Sequence, residues 1–258
     1  MHYVRFHMLT CWMCGSPATT AEHKIKKSDL VRVHGRGNAF TAASLNYRLS
    51  DDTIVILQGP DSKWLKWPNV PCAPCNNHKT QPFDRAYDKF IEYAEGQRAE
   101  LLARRQVDFE SVYGVDWRVE QRNLFRYFAK VLGCKIAGAE QQVPPDIARL
   151  MSQEQFETAL WVCIAVNEDE ISKPNSEQSK LQTGKLISNG VGVEHPRYAS
   201  AYFYKWLIFT FWHGWGPFGP VGGRWCADSQ FISLGSYSAA ESSPNVGTAS
   251  APMSWPAF

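Results

Sequence analysis

Four of the seven cysteines in this 258-residue chain form two Cys-x-x-Cys pairs, Cys11–Cys14 and Cys72–Cys75. Together the pairs offer four thiolates, the number that closes a tetrahedral Zn²⁺ site. Zinc has a filled d shell and, with four sulfur ligands, no open position. Such an ion staples a fold and does no chemistry of its own. Chemistry would fall instead to the polar residues beside the pairs. Glu22-His23 lies a short way after the first pair, and Asn76 directly follows the second. Closing the zinc site should bring these three groups near one another although they are far apart in the chain.

The order Cys11-Trp-Met-Cys14, Glu22-His23, Cys72-Ala-Pro-Cys75-Asn76-Asn77-His78-Lys79 resembles the HNH endonucleases, the zinc-stapled branch of the ββα-metal nucleases. The resemblance lies within about the first third of the 258 residues. It implies an N-terminal, treble-clef-like ββα module that hydrolyses DNA and leaves 5′-phosphate and 3′-hydroxyl ends. It also implies His23 as general base, with Glu22 and Asn76 holding one catalytic Mg²⁺ for which Mn²⁺ can substitute. The residue types suit these roles. A neutral imidazole titrates near physiological pH and can take a proton from water. A carboxylate and an amide oxygen are hard ligands that leave positions open for water and a phosphate.

The chain departs from the family pattern in two places. Most relatives have Asp where this chain has Glu22, and the extra methylene moves the carboxylate. After His23 the text runs Lys-Ile-Lys-Lys-Ser-Asp-Leu to a turn at His34-Gly35-Arg36-Gly37-Asn38, where many members have Ile-x-Pro. The middle Asn or His of the pattern is open among His34, Asn38 and Asn46, with Asn46 favoured. Lys24, Lys26, Lys27 and Lys79 are expected along a phosphate backbone. His78, ~200° around a helix from Asn76, is expected to face solvent, and Thr80, one turn on, to face the metal.

Several function classes are disfavoured by composition. Residues 1–10 interleave His and Arg with no apolar run, unlike a signal peptide. The most apolar segment, residues 202–212, contains Lys205 and is too short for a bilayer. An odd cysteine count with four in paired knuckles favours a reducing, cytoplasmic setting over a disulfide framework. The net charge is only +2, but residues 1–89 hold 12 Lys and Arg against 7 Asp and Glu. The positive excess therefore falls where a nucleic acid would need it.

The pattern predicts an α+β chain: a nuclease module over residues 1–95, an α+β accessory region over 96–235 with a soft boundary near 135–143, and a mobile tail over 236–258. Residues 3–8, 39–49, 53–58 and 161–166 read as strands, and residues 183–192 and 198–212 as β-rich text. Helices are expected from Ser28, over 83–94 by apolar spacing, over 121–132 with Gly133 just past the end, and over 146–160. Cys134, Cys163 and Cys226 read as core residues, Gly214-x-Gly216-x-x-Gly219 as a turn, and His195 and His213 as lacking ligand partners. The aromatic cluster over 198–215 also reads as core. The accessory region could select the target, bind a protein partner or mediate homo-oligomers, and family habit points to phage defence or mobile-element biology. The competing class is a non-catalytic zinc module that binds nucleic acid or protein. Thiol–disulfide redox chemistry has no thioredoxin-like βαβ pattern to support it.

Overall fold

The computed structural model describes residues 10–43, 45–48, 53–152, 156–174, 177–178, 180–189, 196–215 and 224–238. The N-terminal half is threaded by short elements. These are β1 (Glu22–His23), α1 (Lys27–His34), α2 (Asn38–Ala42), β2 (Asn46–Arg48), β3 (Ile54–Ile56) and β4 (Lys66–Trp67). A wide turn over Cys75–Lys79 leads into α3 (Gln81–Gly96), followed by α4 (Arg98–Arg104), β5 (Gln106–Asp108) and α5 (Phe109–Tyr113). The long helix α6 (Trp117–Gly138) and the short α7 (Pro145–Leu150) then precede β6 (Leu160–Asn167) and α8 (Glu168–Ile171). The remaining elements are β7 (Leu181–Thr183), β8 (Ile187–Ser188), β9 (Tyr198–Tyr204), β10 (Leu207–His213), β11 (Arg224–Trp225), β12 (Phe231–Ser233) and β13 (Gly235–Tyr237). The chain is thus mixed α+β with a cysteine cluster near its N-terminus, as expected.

The main sheet is built on the antiparallel neighbours β6, β10 and β9, paired along their full lengths. Each outer edge is shared by two short strands. β11 and β13 lie on different stretches of β6, and β7 and β8 on different stretches of β9. All seven residues of β9 and all seven of β10 are buried, which explains their nearly unbroken apolar and aromatic text. Helix α6 packs on α3, α5 and α7 and also touches β4 and β6. Its Leu124, Phe125, Phe128 and Leu132 are essentially inaccessible, each contributing ~1.5–3 kcal/mol of burial. One buried cluster runs continuously from Cys11 to Leu234. Residue 95 falls inside α3 and residues 135–138 inside α6.

A buried carboxylate ties the first third to the sheet. Asp29 of α1 accepts 2.7 Å hydrogen bonds from the hydroxyls of Tyr87 on α3 and Tyr202 on β9, and a 3.0 Å bond from Arg32. Burial pushes the Asp29 carboxyl up to about 6.

Several elements differ from the sequence expectation. Helix α6 does not stop at Gly133 but continues to Gly138, because both glycines make room for indoles. A Cβ at Gly133 would lie 2.6 Å from the Trp12 ring, and one at Gly138 would lie 2.4 Å from Trp67. The helix expected over 146–160 ends at Leu150. Asp146 accepts from the Thr158 hydroxyl (2.8 Å) and the Ala159 amide (2.9 Å), and Leu160 already belongs to β6. The segment expected as a strand over 39–49 opens with α2, whose alanines favour helix, before becoming β2. His213, for which no ligand partner was expected, is hydrogen-bonded: its Nε2 lies 3.0 Å from both oxygens of Asp146, joining β10 to α7. Ser236 and Tyr237, expected in the tail over 236–258, pair in parallel with Val166 and Asn167. Residues 239–258, the strand expected over 3–8, His195, Gly216 and Gly219 lie outside the described residues. Among the described residues, no helix is long and apolar enough to cross a membrane.

Candidate functional site

The two cysteine pairs meet. The four sulfur atoms of Cys11, Cys14, Cys72 and Cys75 lie within 4.8 Å of one another, with Cys14 Sγ and Cys72 Sγ 3.5 Å apart. The first pair sits on a tight turn in which the Cys14 and Gly15 amides donate to Cys11 O, at 3.3 and 2.8 Å. Gly15 takes φ 76°, a left-handed value that favours glycine. Burial pushes the Cys11 and Cys75 thiols up, whereas the Ser16 hydroxyl pulls the exposed Cys14 thiol down to about 6. Four sulfur donors this close, three of them buried, fit a soft tetrahedral cation, so the cluster could hold a metal ion such as zinc.

Backbone hydrogen bonds carry the cluster's geometry outward. Thr19 N and Thr20 N both donate to Pro71 O, at 3.2 and 3.1 Å, which lays the segment after the first pair along the approach to the second. The chain then forms β1, antiparallel to β4, with Glu22 opposite Trp67 and His23 opposite Lys66. After Cys75 the backbone makes a wide turn, closed by Thr80 N to Cys75 O at 3.1 Å, five residues back. Such widened turns recur at functional sites because they re-aim a side chain without ending the helix. Here the turn presents Asn76 to the segment before β1. Its Nδ2 donates to Thr20 Oγ1 and Ala21 O, both at 3.2 Å. With both amide protons engaged, Oδ1 is the end of Asn76 left to accept or ligate.

Glu22, His23 and Asn76 line one cleft of about 520 Å³ together with Lys26, Lys27, Asn77, Asp84, Asp88 and Tyr127. His23 lies beside the Pro60 backbone. Its Nε2 is buried and has no hydrogen-bond partner, although Asp61 Oδ1 stands 3.5 Å away at ion-pair range. Burial and then the nearby Lys66 ammonium lower the imidazole below its usual range, against the opposing pull of Glu22 and Asp61. The ring is therefore neutral at physiological pH, with one nitrogen free to take a proton.

The remaining expected residues fall in different places. Asn46 is exposed on β2 and does not line the cleft, and neither do His34 or Asn38. His34 packs edge-on against Phe40. Thr80 is buried, and its hydroxyl donates to Asn76 O at 3.1 Å, so it braces the turn and does not face the cleft. His78 is exposed, as expected, and Lys79 is half-buried. Of the lysines expected along a phosphate backbone, Lys26 turns inward, 2.9 Å from Asp84 and 3.5 Å from Asp88. Lys24 lies over the Tyr47 ring, and Lys27 pairs with Asp61 at the exposed rim. Cys134 and Cys163 are buried and Cys226 is half-buried.

Sequence reasoning missed Asp61, Lys66, Asp84, Asp88 and Lys130. The spacing of Asp84 and Asp88, one helical turn apart and shortly after Asn76, was a usable signal, since such a pair shares a face. Asp61, Lys66 and Lys130 reach the site only through tertiary contacts. No family model matches the chain, and neither a curated protein nor a solved structure matches it.

Proposed function

We propose that the chain is a metal-dependent HNH-type endonuclease that hydrolyses phosphodiester bonds of DNA. The observation that carries this reading is the convergence of Glu22, a neutral His23 with a free Nε2, and Asn76 on one cleft beside the four-cysteine cluster. Antiparallel β1 and β4, followed by the turn into α3, give a β–β–α order around that cleft. His23 Nε2 takes the proton of the attacking water, and Asp61, 3.5 Å away, stabilises the imidazolium that forms. On this reading Asp61, on the loop before β4, takes the part expected of His34, Asn38 or Asn46. Glu22 and Asn76 Oδ1 are the hard oxygen donors for Mg²⁺, which when bound would stabilise charge on the phosphate and the departing oxygen. Zinc in the cysteine cluster has a structural role.

A second reading has an observation in its favour. Glu22 is already paired with the Lys130 ammonium at 3.1 Å, as it would be in a non-catalytic zinc module that binds nucleic acid or a protein. Plasmid nicking in Mg²⁺ separates the two. Wild type should cut, and His23→Ala, folded and zinc-loaded, should be slower by ~10²–10⁴-fold. Equal rates for both proteins, or no cutting by either, would remove the nuclease reading.

A further inference from the structure

Lys130 is a charge that packing does not require. It sits in the middle of α6, 2% exposed, with Arg126, Tyr127, Gly133 and Cys134 one helical turn away on its face. Its ammonium nevertheless meets Asp84 Oδ1 and Oδ2 at 2.8 and 3.0 Å and Glu22 Oε1 at 3.1 Å. An ammonium this deeply buried is held by the two carboxylates it meets, Asp84 and Glu22. Lys26 approaches Asp84 Oδ1 from its own side at 2.9 Å. Both Asp84 oxygens are thus taken up by ammonium groups, and Asp84 is not free to ligate a cation. Glu22 differs, since among the described residues Lys130 is the one ammonium on it, where Asp84 carries two.

We propose that Lys130 is a positioning residue of the cleft. It holds Glu22 against α6, where that carboxylate faces the cleft beside Asn76, and by its own charge keeps the affinity of the cleft for a divalent cation low. The inference rests on reading the cleft as a divalent-cation site. It also makes α6, far along the chain from the motif, a working part of that site. A lysine with a purely structural role would stabilise the fold and leave metal affinity unmoved once folding was restored.

The test is Mn²⁺ binding to the full, zinc-loaded chain, followed by the electron paramagnetic resonance of free Mn²⁺, with plasmid cleavage measured in parallel. Wild type should bind Mn²⁺ at a site that Glu22→Gln removes. Lys130→Met should bind it tighter by about tenfold or more, because a like charge has been withdrawn. At saturating metal the same variant should cut DNA slower by ~10²-fold, because Glu22 has lost its clamp. Lys130→Arg keeps the charge and should stay within about threefold of wild-type Mn²⁺ affinity. If Lys130→Met does not fold, Lys130→Gln also removes the charge while keeping a hydrogen-bond donor for Asp84, and should show the same tightening. If neither folds, Lys130→Arg decides, and a tenfold change in its affinity overturns the proposal. Wild-type affinity in a folded Met variant, or wild-type binding that ignores Glu22→Gln, also overturns it. Affinity that follows the charge at 130 in a protein that does not cut DNA would sink the nuclease reading alone. Cleavage by a protein whose Mn²⁺ affinity ignores residue 130 would sink this inference alone.

Discussion

At the scale of single residues, the cleft depends on how His23 is kept neutral. Burial lowers its imidazole from the usual value, and Lys66, opposite it in the β1–β4 ladder, lowers it further. A base with a depressed value stays unprotonated to lower pH, so the acid limb of kcat/KM should fall below ~6.5, the ordinary histidine range. Lys66→Met removes one of the two lowering influences. The acid limb should then move to higher pH, and a pH–rate profile with an unmoved limb would show that Lys66 does not act on His23. The sign for stability is the same. A buried neutral imidazole resists protonation, so its contribution is whole above the ordinary histidine value and is lost as pH falls below it. The cysteine pairs, Glu22-His23 and Asn76 were legible in the sequence because their meaning lies in local spacing. Lys130 was not, since one lysine in an apolar stripe reads as a solvated residue until its two carboxylates come to it from β1 and α3.

At the scale of elements, what holds β4 in place is an indole against a helix. Trp67 rests on Gly138 at the end of α6, and Trp12, between the cysteines of the first pair, rests on Gly133 five residues earlier. Trp67 is also the ladder partner of Glu22. A Cβ at Gly138 would come 2.4 Å from Trp67 Cδ1, closer than carbon atoms approach. Gly138→Ala should therefore destabilise by ~1–3 kcal/mol through overpacking. The helix-propensity gain of ~1 kcal/mol is a mid-helix value and would be smaller at the last residue of α6. A urea titration measures the loss, and a variant as stable as wild type would mean Trp67 has room to move. The helix over 83–94 was visible from its apolar spacing, and β9 and β10 from their buried aromatic text. The β4 strand was not, because two paired residues carry no periodicity. The end of α6 was misplaced because glycine signals both a helix stop and a seat for a large side chain.

At the scale of the whole molecule, the cysteine cluster and the sheet share one core. Removing the metal proposed for the four cysteines should therefore unsettle the entire chain. Metal analysis should find one zinc per chain, and a strong chelator should lower the melting temperature in a single cooperative transition. Two separate transitions, with only the first sensitive to chelator, would show that the first third melts independently. The same continuity orders events in time. Cys11, Glu22, His23 and Asn76 are synthesised early, and Asp84 follows soon after them. Lys130 and the two glycine seats for Trp12 and Trp67 come later, and β9 with Tyr202 later still. During synthesis the ribosome thus releases every expected reactive group well before the parts that align them. The cleft described here closes only after residues far beyond the motif have emerged from the exit tunnel.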